Sequence, residues 1–376
     1  MTVYKFVHLF LHDSALFNGG FQEFVERYFD SNEHLFVYKY KKNIPIAYKN
    51  NSNTICDETI DDVNLLTYYT SLADFCLIHN LKYNYKEIAS IGENISKKIV
   101  WVVWGGDLYR LPDRQNRLCI LLRKCYHILN GTLFYKIRAK EVIRHFAAIS
   151  AVFSGDRDFV RENFGYTNQM FNACYPMGYF CEDLDGWIQK KDTSRIRILL
   201  GHSGFSYLNH EKYINLLKKH KEKIQLVIPL SYGDNLYIKH LKEIIKKQFN
   251  SDEAIIVEQH LTQQQYCSLL STVDMAIIDC IQQSALGNLY VLFYLRKSVY
   301  LNIDGALYKG FVRDGLDIHS TDELFKVDLE NFDPEEGSSE LKDYAVNVLS
   351  KNKIIENWNQ LFEQLYECGD VTHNYR

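Results

Sequence analysis

The chain repeats one pattern from end to end: a short apolar run, a polar or glycine-bearing turn, then a stretch with apolar positions three and four apart. In the first half YKFVHLFL (4–11), HLFVYKY (34–40), DFCLIHN (74–80), KIVWVVWG (98–105), ISAVFSG (149–155) and QMFNACYP (169–176) read as strands. Helical patterns lie between several of them, such as GFQEFVERYF (20–29) and RLCILLRKCYHIL (117–129). The second half is more regular. Strands at 196–201, 225–230, 254–258, 273–279 and 298–302 alternate with helices near 208–221, 235–249, 262–271 and 284–295. Continuous apolar strands separated by helices belong to parallel sheets covered on both faces. The expectation is α/β, with two doubly wound, Rossmann-like halves.

A length of 376 residues with 47% hydrophobic content suits two domains with sizeable cores. The boundary is placed in the polar segment YFCEDLDGWIQKKDTSR (179–195), giving domains 1–183 and 184–339. Residues 340–376 carry a last helical pattern that either caps the second domain or crosses back over the first. A net charge of −4 gives no footprint for nucleic acid. The nine cysteines show neither CxxC nor zinc spacing, which fits reduced intracellular thiols. The start of the chain is too short in its apolar run for a signal peptide, and nowhere do 18 apolar residues follow one another. A cytoplasmic protein is expected.

Ligands of open α/β sheets bind where strands end, so the chemistry is sought in those corners. After strand 196–201 comes Gly201-His202-Ser203-Gly204, a small corner that exposes backbone amides and a hydroxyl to an anion, or makes a tight turn. After 225–230 come Ser231 and Tyr232, suited to a ribose or base, or to a βα connection. Strand 273–279 ends in Asp279, followed by Gln282, Gln283 and Ser284, and the next helix holds Gly287 and Asn288. These suit a diphosphate or sugar hydroxyls, or helix capping with close packing. In the first half, His12 and Asp13 stand after the first strand, before Gly19-Gly20 and a helix, and Asp107 follows Gly105-Gly106. They are candidate bases, with an N-cap the alternative for Asp107.

Five blocks carry a resemblance: WVVWGGDLYRL, YPMGY, ILLGHSG…NHEKYINLL, VIPLSYGDNLYIKHLKE and YCSLLSTVDMAIIDCIQQSALGNLYVLFYLRKSVYLN. In this order, over roughly residues 95 to 302, they resemble the 4-acetamido-4,6-dideoxygalactosyltransferase family, the bacterial TDP-N-acetylfucosamine:lipid II transferases. The resemblance implies the GT-B architecture, two Rossmann-like domains facing across a cleft. It implies a nucleotide-sugar in the C-terminal domain, an acceptor on the N-terminal one, no metal or other cofactor, and work at the inner face of the cell membrane. His202 departs from it, since the family tends to carry Asn there, so the donor is either TDP- or UDP-linked. A lipid-linked or glycan acceptor in surface polysaccharide assembly follows from the same likeness.

Sugar transfer builds negative charge on the leaving phosphate; amides at Ser203-Gly204 and Gln283-Ser284 are placed to meet it, each worth ~3 kcal/mol. Nine Lys/Arg fall between Arg110 and Arg144 among apolar and aromatic residues. With Arg117, Arg123 and Lys124 at its centre, this stretch reads as a patch for anionic lipid, or as a solvated helix face. A nucleotide-sugar epimerase and a non-catalytic sugar-nucleotide binding protein are the competing readings.

Overall fold

The computed structural model describes residues 4–373 apart from 61, 111–131, 328 and 330–337. The chain divides into two compact units, Met1–Gly178 with Asn352–Arg376, and Tyr179–Lys351. The first unit therefore ends before the expected boundary at 183. The reason is local: Tyr179 packs its ring on Trp187, and Asp185 accepts a hydrogen bond from Tyr294 at 2.9 Å, which ties this segment to the second unit.

Among the described residues, the first unit has β1 (Tyr4–Phe10), β2 (His34–Tyr38), β3 (Thr54–Cys56), β4 (Ala73–His79), β5 (Ile99–Val102), β6 (Ala148–Ser150) and β7 (Gln169–Phe171). All pair in parallel, in the order β3-β2-β1-β4-β5-β6-β7. The second unit has β8 (Ile196–Leu200), β9 (Ile224–Pro229), β10 (Ala254–Val257), β11 (Met275–Ile278), β12 (Ser298–Leu301) and β13 (His319–Ser320). They too are parallel, ordered β10-β9-β8-β11-β12-β13. The strand order thus reverses at β1 in one unit and at β8 in the other, and the carboxyl ends of these strands are where such sheets bind ligands. The strands β3 and β13, three and two residues long, carry too little pattern for a sequence reading to find.

Apolar burial fixes the second sheet. Ile198, Leu200, Leu226, Ile228, Met275 and Ile277 pack in one core with Tyr213, Ile214, Leu217, Leu241 and Ile245 of the covering helices. In the first unit, helix Ala15–Tyr28 begins earlier than expected because Ser14 caps it, its Oγ accepting from Phe17 N–H at 3.4 Å. Gly19 and Gly20 consequently lie inside the helix, where a Cβ on Gly19 would come 3.2 Å from Pro45 Cγ.

The last helical pattern is two helices, Ser339–Leu349 and Lys351–His373, broken at Ser350 where the backbone is extended. The first belongs to the second unit and sets Tyr344 against Phe293 and Phe311. The second belongs to the first unit, where Trp358 Nε1–H donates to the Cys174 carbonyl at 2.8 Å and Phe362 packs 4.7 Å from Phe6. Among the described residues no helix is long and apolar enough to cross a membrane.

Candidate functional site

At the end of β8 the chain turns through Gly201 with φ 69°, a left-handed conformation that favours glycine. A Cβ there would also meet His210 Nε2 at 2.5 Å. His202 and Ser203 follow, 7% and 0% exposed. His202 Nε2 lies 2.8 Å from Ser284 Oγ, which ties the loop after β8 to the loop after β11. Burial lowers His202 to about 4, so the imidazole is neutral near pH 7. Its Nδ1 and the Ser203 hydroxyl are buried without a formed hydrogen bond. The phenols of Tyr207 and Tyr232 stand close by: burial raises both pKa values, opposed by Ser284 and then Ser203 at Tyr207 and by Ser203 at Tyr232. Such orphaned polar groups at a strand end are places for a ligand.

The loop after β11 contributes the second half. Gln282 is exposed, Gln283 buried and Ser284 half-buried, and helix Leu286–Tyr294 starts directly afterwards. Its N-cap, Ala285, sits at φ 63° and offers no capping side chain. The first N–H groups of the helix are thus left without a side-chain acceptor, and its positive dipole end lies in the same loop as Ser284. Inside the helix Asn288 donates to Tyr266 Oη at 2.9 Å, which orients its amide.

Two expected donor contacts have other duties. Asp279 is 1% exposed and accepts from Tyr213 Oη at 2.6 Å, from Lys212 Nζ at 3.2 Å and from Asn302 Nδ2. Burial pushes its pKa up, but these donors outweigh that and hold it below the usual carboxylate range. It is an ionised brace beneath the loop. Gly204 N–H donates to the Tyr232 carbonyl at 2.8 Å, and Gly204 O accepts from Asp234 N–H at 3.0 Å. Gly204 therefore has no amide left for a phosphate. Its glycine is needed because the backbone runs against Gly233, and a Cβ would meet Ile238 Cγ1 at 2.2 Å. A bulky residue at 204 would damage packing as well as any site.

That contact carries the loop after β9 to the corner. Tyr232 is 47% exposed and stacks on His260, with centroids 6.4 Å apart and planes at 9°. Beside half-buried Ser231, this presents a flat ring at the strand ends.

In the first unit, half-buried His12 has an unpartnered Nδ1 and lies 5.3 Å from the Trp104 ring. Burial lowers its pKa. Asp13 is exposed and paired with Lys42 at 2.7 Å, which lowers its pKa and makes it a weaker base. Both carboxylate oxygens of Asp107 are taken up by donors of the protein itself. The residue is 1% exposed, and its carboxylate accepts from Leu81 N–H (2.9 Å), Trp101 Nε1–H (2.7 Å), Trp104 N–H (3.0 Å) and Leu108 N–H (3.1 Å). Burial raises its pKa, opposed by the bonds from Trp101, Trp104 and Leu81. It knots the ends of β4 and β5 together and is no base.

Residues 82–330, more than half of the chain, match the family described as 4-alpha-L-fucosyltransferase glycosyl transferase group 56. The chain belongs to glycosyl transferase group 56. A sequence search among curated proteins found no match for this group 56 chain. By structure it is similar to a glycosyltransferase from Rickettsia africae ESF-5, at 12% identity and TM-score 0.62 over 97% of this chain and 99% of that one. It is also similar to Anabaena Alr3699/HepE in complex with UDP, at 10% identity and TM-score 0.64 over 96% and 100%. An E. coli trehalose-6-phosphate structure bound with UDP-2-fluoro glucose follows at 10% identity and TM-score 0.60 over 96% and 98%. At such identities the likeness shows the fold, and the group 56 chain has the GT-B type of two parallel-sheet α/β units.

Of the residues singled out from sequence, His202, Ser203, Ser284 and the start of the 286–294 helix come together, with Tyr232 alongside. Gln283 is buried in the same loop and Gln282 points outward. Arg117, Arg123 and Lys124 lie outside the described residues. Tyr207, His210, His260 and Tyr266 join the site without a signal in the sequence: none belongs to a glycine corner, His260 sits two residues past Glu258 at the end of β10, and Tyr266 lies on the helix Gln263–Ser271.

Proposed function

We propose that this group 56 protein transfers a deoxy-amino sugar from a TDP- or UDP-linked donor to a lipid-linked or glycan acceptor in bacterial surface polysaccharide assembly. The observation that carries the reading is the His202–Ser284 hydrogen bond, which sets two unsatisfied groups beside an uncapped helix start at the switch point of the second unit. The diphosphate would accept from Ser203 Oγ and the first amides of helix 286–294, which face growing charge without reorganising. No metal ion is required in this scheme. The Tyr232–His260 stack suits the nucleobase, as bases stack readily on aromatic faces. That HepE was solved with UDP, UDP and glucose, and UDP-glucose favours a nucleotide-sugar for a protein of the same fold.

The acceptor groups are assigned to the first unit, where His12 keeps an unpartnered imidazole nitrogen. Attachment to the inner face of the cell membrane is supported by helix Thr132–Arg144. It exposes Leu133, Phe134 and Ile137 while carrying Lys136, Arg138, Lys140 and Arg144, the composition of an interfacial helix on anionic lipid. A thermal-shift panel of UDP, TDP, GDP and CDP tests the donor reading. One uridine or thymidine diphosphate should raise Tm selectively, by about 2.7 kcal/mol of stabilisation at a hundredfold excess over Kd. Equal or absent responses to all four would sink it.

A further inference from the structure

Three histidines form one line across the middle strands of the first unit. His8 of β1 bonds through Nδ1 to Nε2 of His79, the last residue of β4, at 3.1 Å. Through its own Nε2 it bonds to Nδ1 of His34, the first residue of β2, at 2.8 Å. The strands are parallel, so the line runs from the carboxyl end of the sheet to its amino end. All three side chains are at most 1% exposed. A neutral imidazole carries one N–H and one lone pair. A chain of three neutral rings therefore has two self-consistent arrangements, with every N–H pointing one way or every N–H pointing the other.

The surroundings keep the rings neutral. Phe10, Phe21 and Tyr175 pack around His79, Phe21 and Phe36 around His8, and Phe6 and Phe362 around His34. The charges that act on the line are Asp30 and Lys5, both at the His34 end, and Lys5 is itself paired with Glu33. Burial lowers His8 far below its usual value and His34 and His79 to about 3.

The other end adjoins further unsatisfied groups. His79 Nδ1, Tyr175 Oη, Trp104 Nε1 and His12 Nδ1 are all buried without a partner. Their rings are in series: His79 to Tyr175 5.6 Å, Tyr175 to Trp104 5.0 Å, Trp104 to His12 5.3 Å. Each such atom costs roughly 1–3 kcal/mol while unpaired. A ligand hydroxyl at His79 Nδ1 would relieve that cost there.

We propose that His79, backed by His8 and His34, takes the proton of the acceptor hydroxyl during transfer. This rests on the glycosyltransferase reading above. As the acceptor O–H breaks, its electron pair forms the bond to the sugar C1, and the pair of the old C1–O bond leaves with the diphosphate. The proton joins His79 Nδ1, the Nε2 proton of His79 passes to His8 Nδ1, that of His8 Nε2 passes to His34 Nδ1, and His34 Nε2 releases its proton to water. No ring becomes charged, so a core that refuses imidazolium still accepts a proton.

Nitrogen-15 NMR of the full chain labelled at histidine tests the line without any ligand. His8 and His79 should stay neutral from pH 5 to 8 and exchange between tautomers, and His34→Gln should lock His79 in one. A wild-type His79 fixed in a single tautomer, indifferent to His34→Gln, overturns the proposal. Nucleotide release from UDP- or TDP-glucose gives a second readout. His8→Gln keeps a donor and an acceptor but does not relay, so kcat should fall on the order of 10²-fold with the donor KM and the nucleotide-induced Tm shift unchanged. The multi-proton solvent isotope effect should vanish with it. An unchanged kcat also overturns the proposal. A nucleotide panel without response would instead remove the transferase reading and leave the NMR result to stand on its own.

Discussion

His202 is the residue on which the two loops of the second unit depend, and its chemistry is that of a neutral hydrogen-bonding ring. Held near 4 by burial, it meets Ser284 through Nε2. An Asn at this position, as in the family the sequence resembles, can also donate or accept towards Ser284, whereas Leu can do neither. His202→Leu should therefore leave the half-buried Ser284 hydroxyl and the loop after β11 unanchored, at a cost of about 1–3 kcal/mol, and should weaken nucleotide binding. His202→Asn should keep most of both. Chemical denaturation and nucleotide thermal shifts of the two variants check this, and a Leu variant that binds as tightly as the Asn variant would deny the bond its role.

At the scale of the element, the start of helix Leu286–Tyr294 combines strain with an open end. Ala285 adopts φ 63°, which costs an L-residue with a Cβ roughly 1–2 kcal/mol, and it offers no cap. Ala285→Gly should relieve the strain and raise stability by up to that amount while sparing nucleotide binding. Ala285→Asp should place a charge against any bound diphosphate and reduce the nucleotide-induced Tm shift, without loss of the apo Tm beyond the strain already present. Equal nucleotide responses in both variants would mean that no anion sits there. Elements of this kind were only half legible in the sequence. The apolar strands and the positions of the corners could be read because burial on both faces writes itself as unbroken apolar runs. What each corner atom does could not be read, because it depends on long-range partners. Asp279 meets Tyr213 and Asn302, Asp107 meets Leu81, and the Gly204 amide meets Tyr232. Nor does any local pattern show that His8, His34 and His79 share a face, since register across three strands decides it.

At the scale of the whole molecule, the neutral histidines set a pH limit on the fold. His8, His34 and His79 in the first unit and His202 and His210 in the second are all lowered by burial, His34 and His79 to about 3, His202 and His210 to about 4. In the unfolded chain each titrates near 6.5. Between those values the unfolded chain binds protons that the folded chain refuses. Their contribution is thus fully present above about pH 6.5 and is lost as pH falls towards 4, each with a slope of about 1.4 kcal/mol per pH unit. Asp156, lifted to about 7 by burial, acts in the opposite sense, since folded it keeps a proton that the unfolded carboxyl has released. It offsets one histidine, and Asp107, also raised by burial, adds to that side. The net slope of these groups is then roughly 5 kcal/mol per pH unit, against a total stability of about 5–15 kcal/mol. Acid unfolding should fall within about two units below pH 6.5, before most surface carboxylates protonate. Urea midpoints at pH 7.5 and 5.5 measure this directly: the drop should be steep, and shallower in His202→Asn by about one proton's worth. A midpoint that does not move between the two would mean that these histidines carry charge inside the folded protein, and the neutral line from His79 to His34 would have no physical basis.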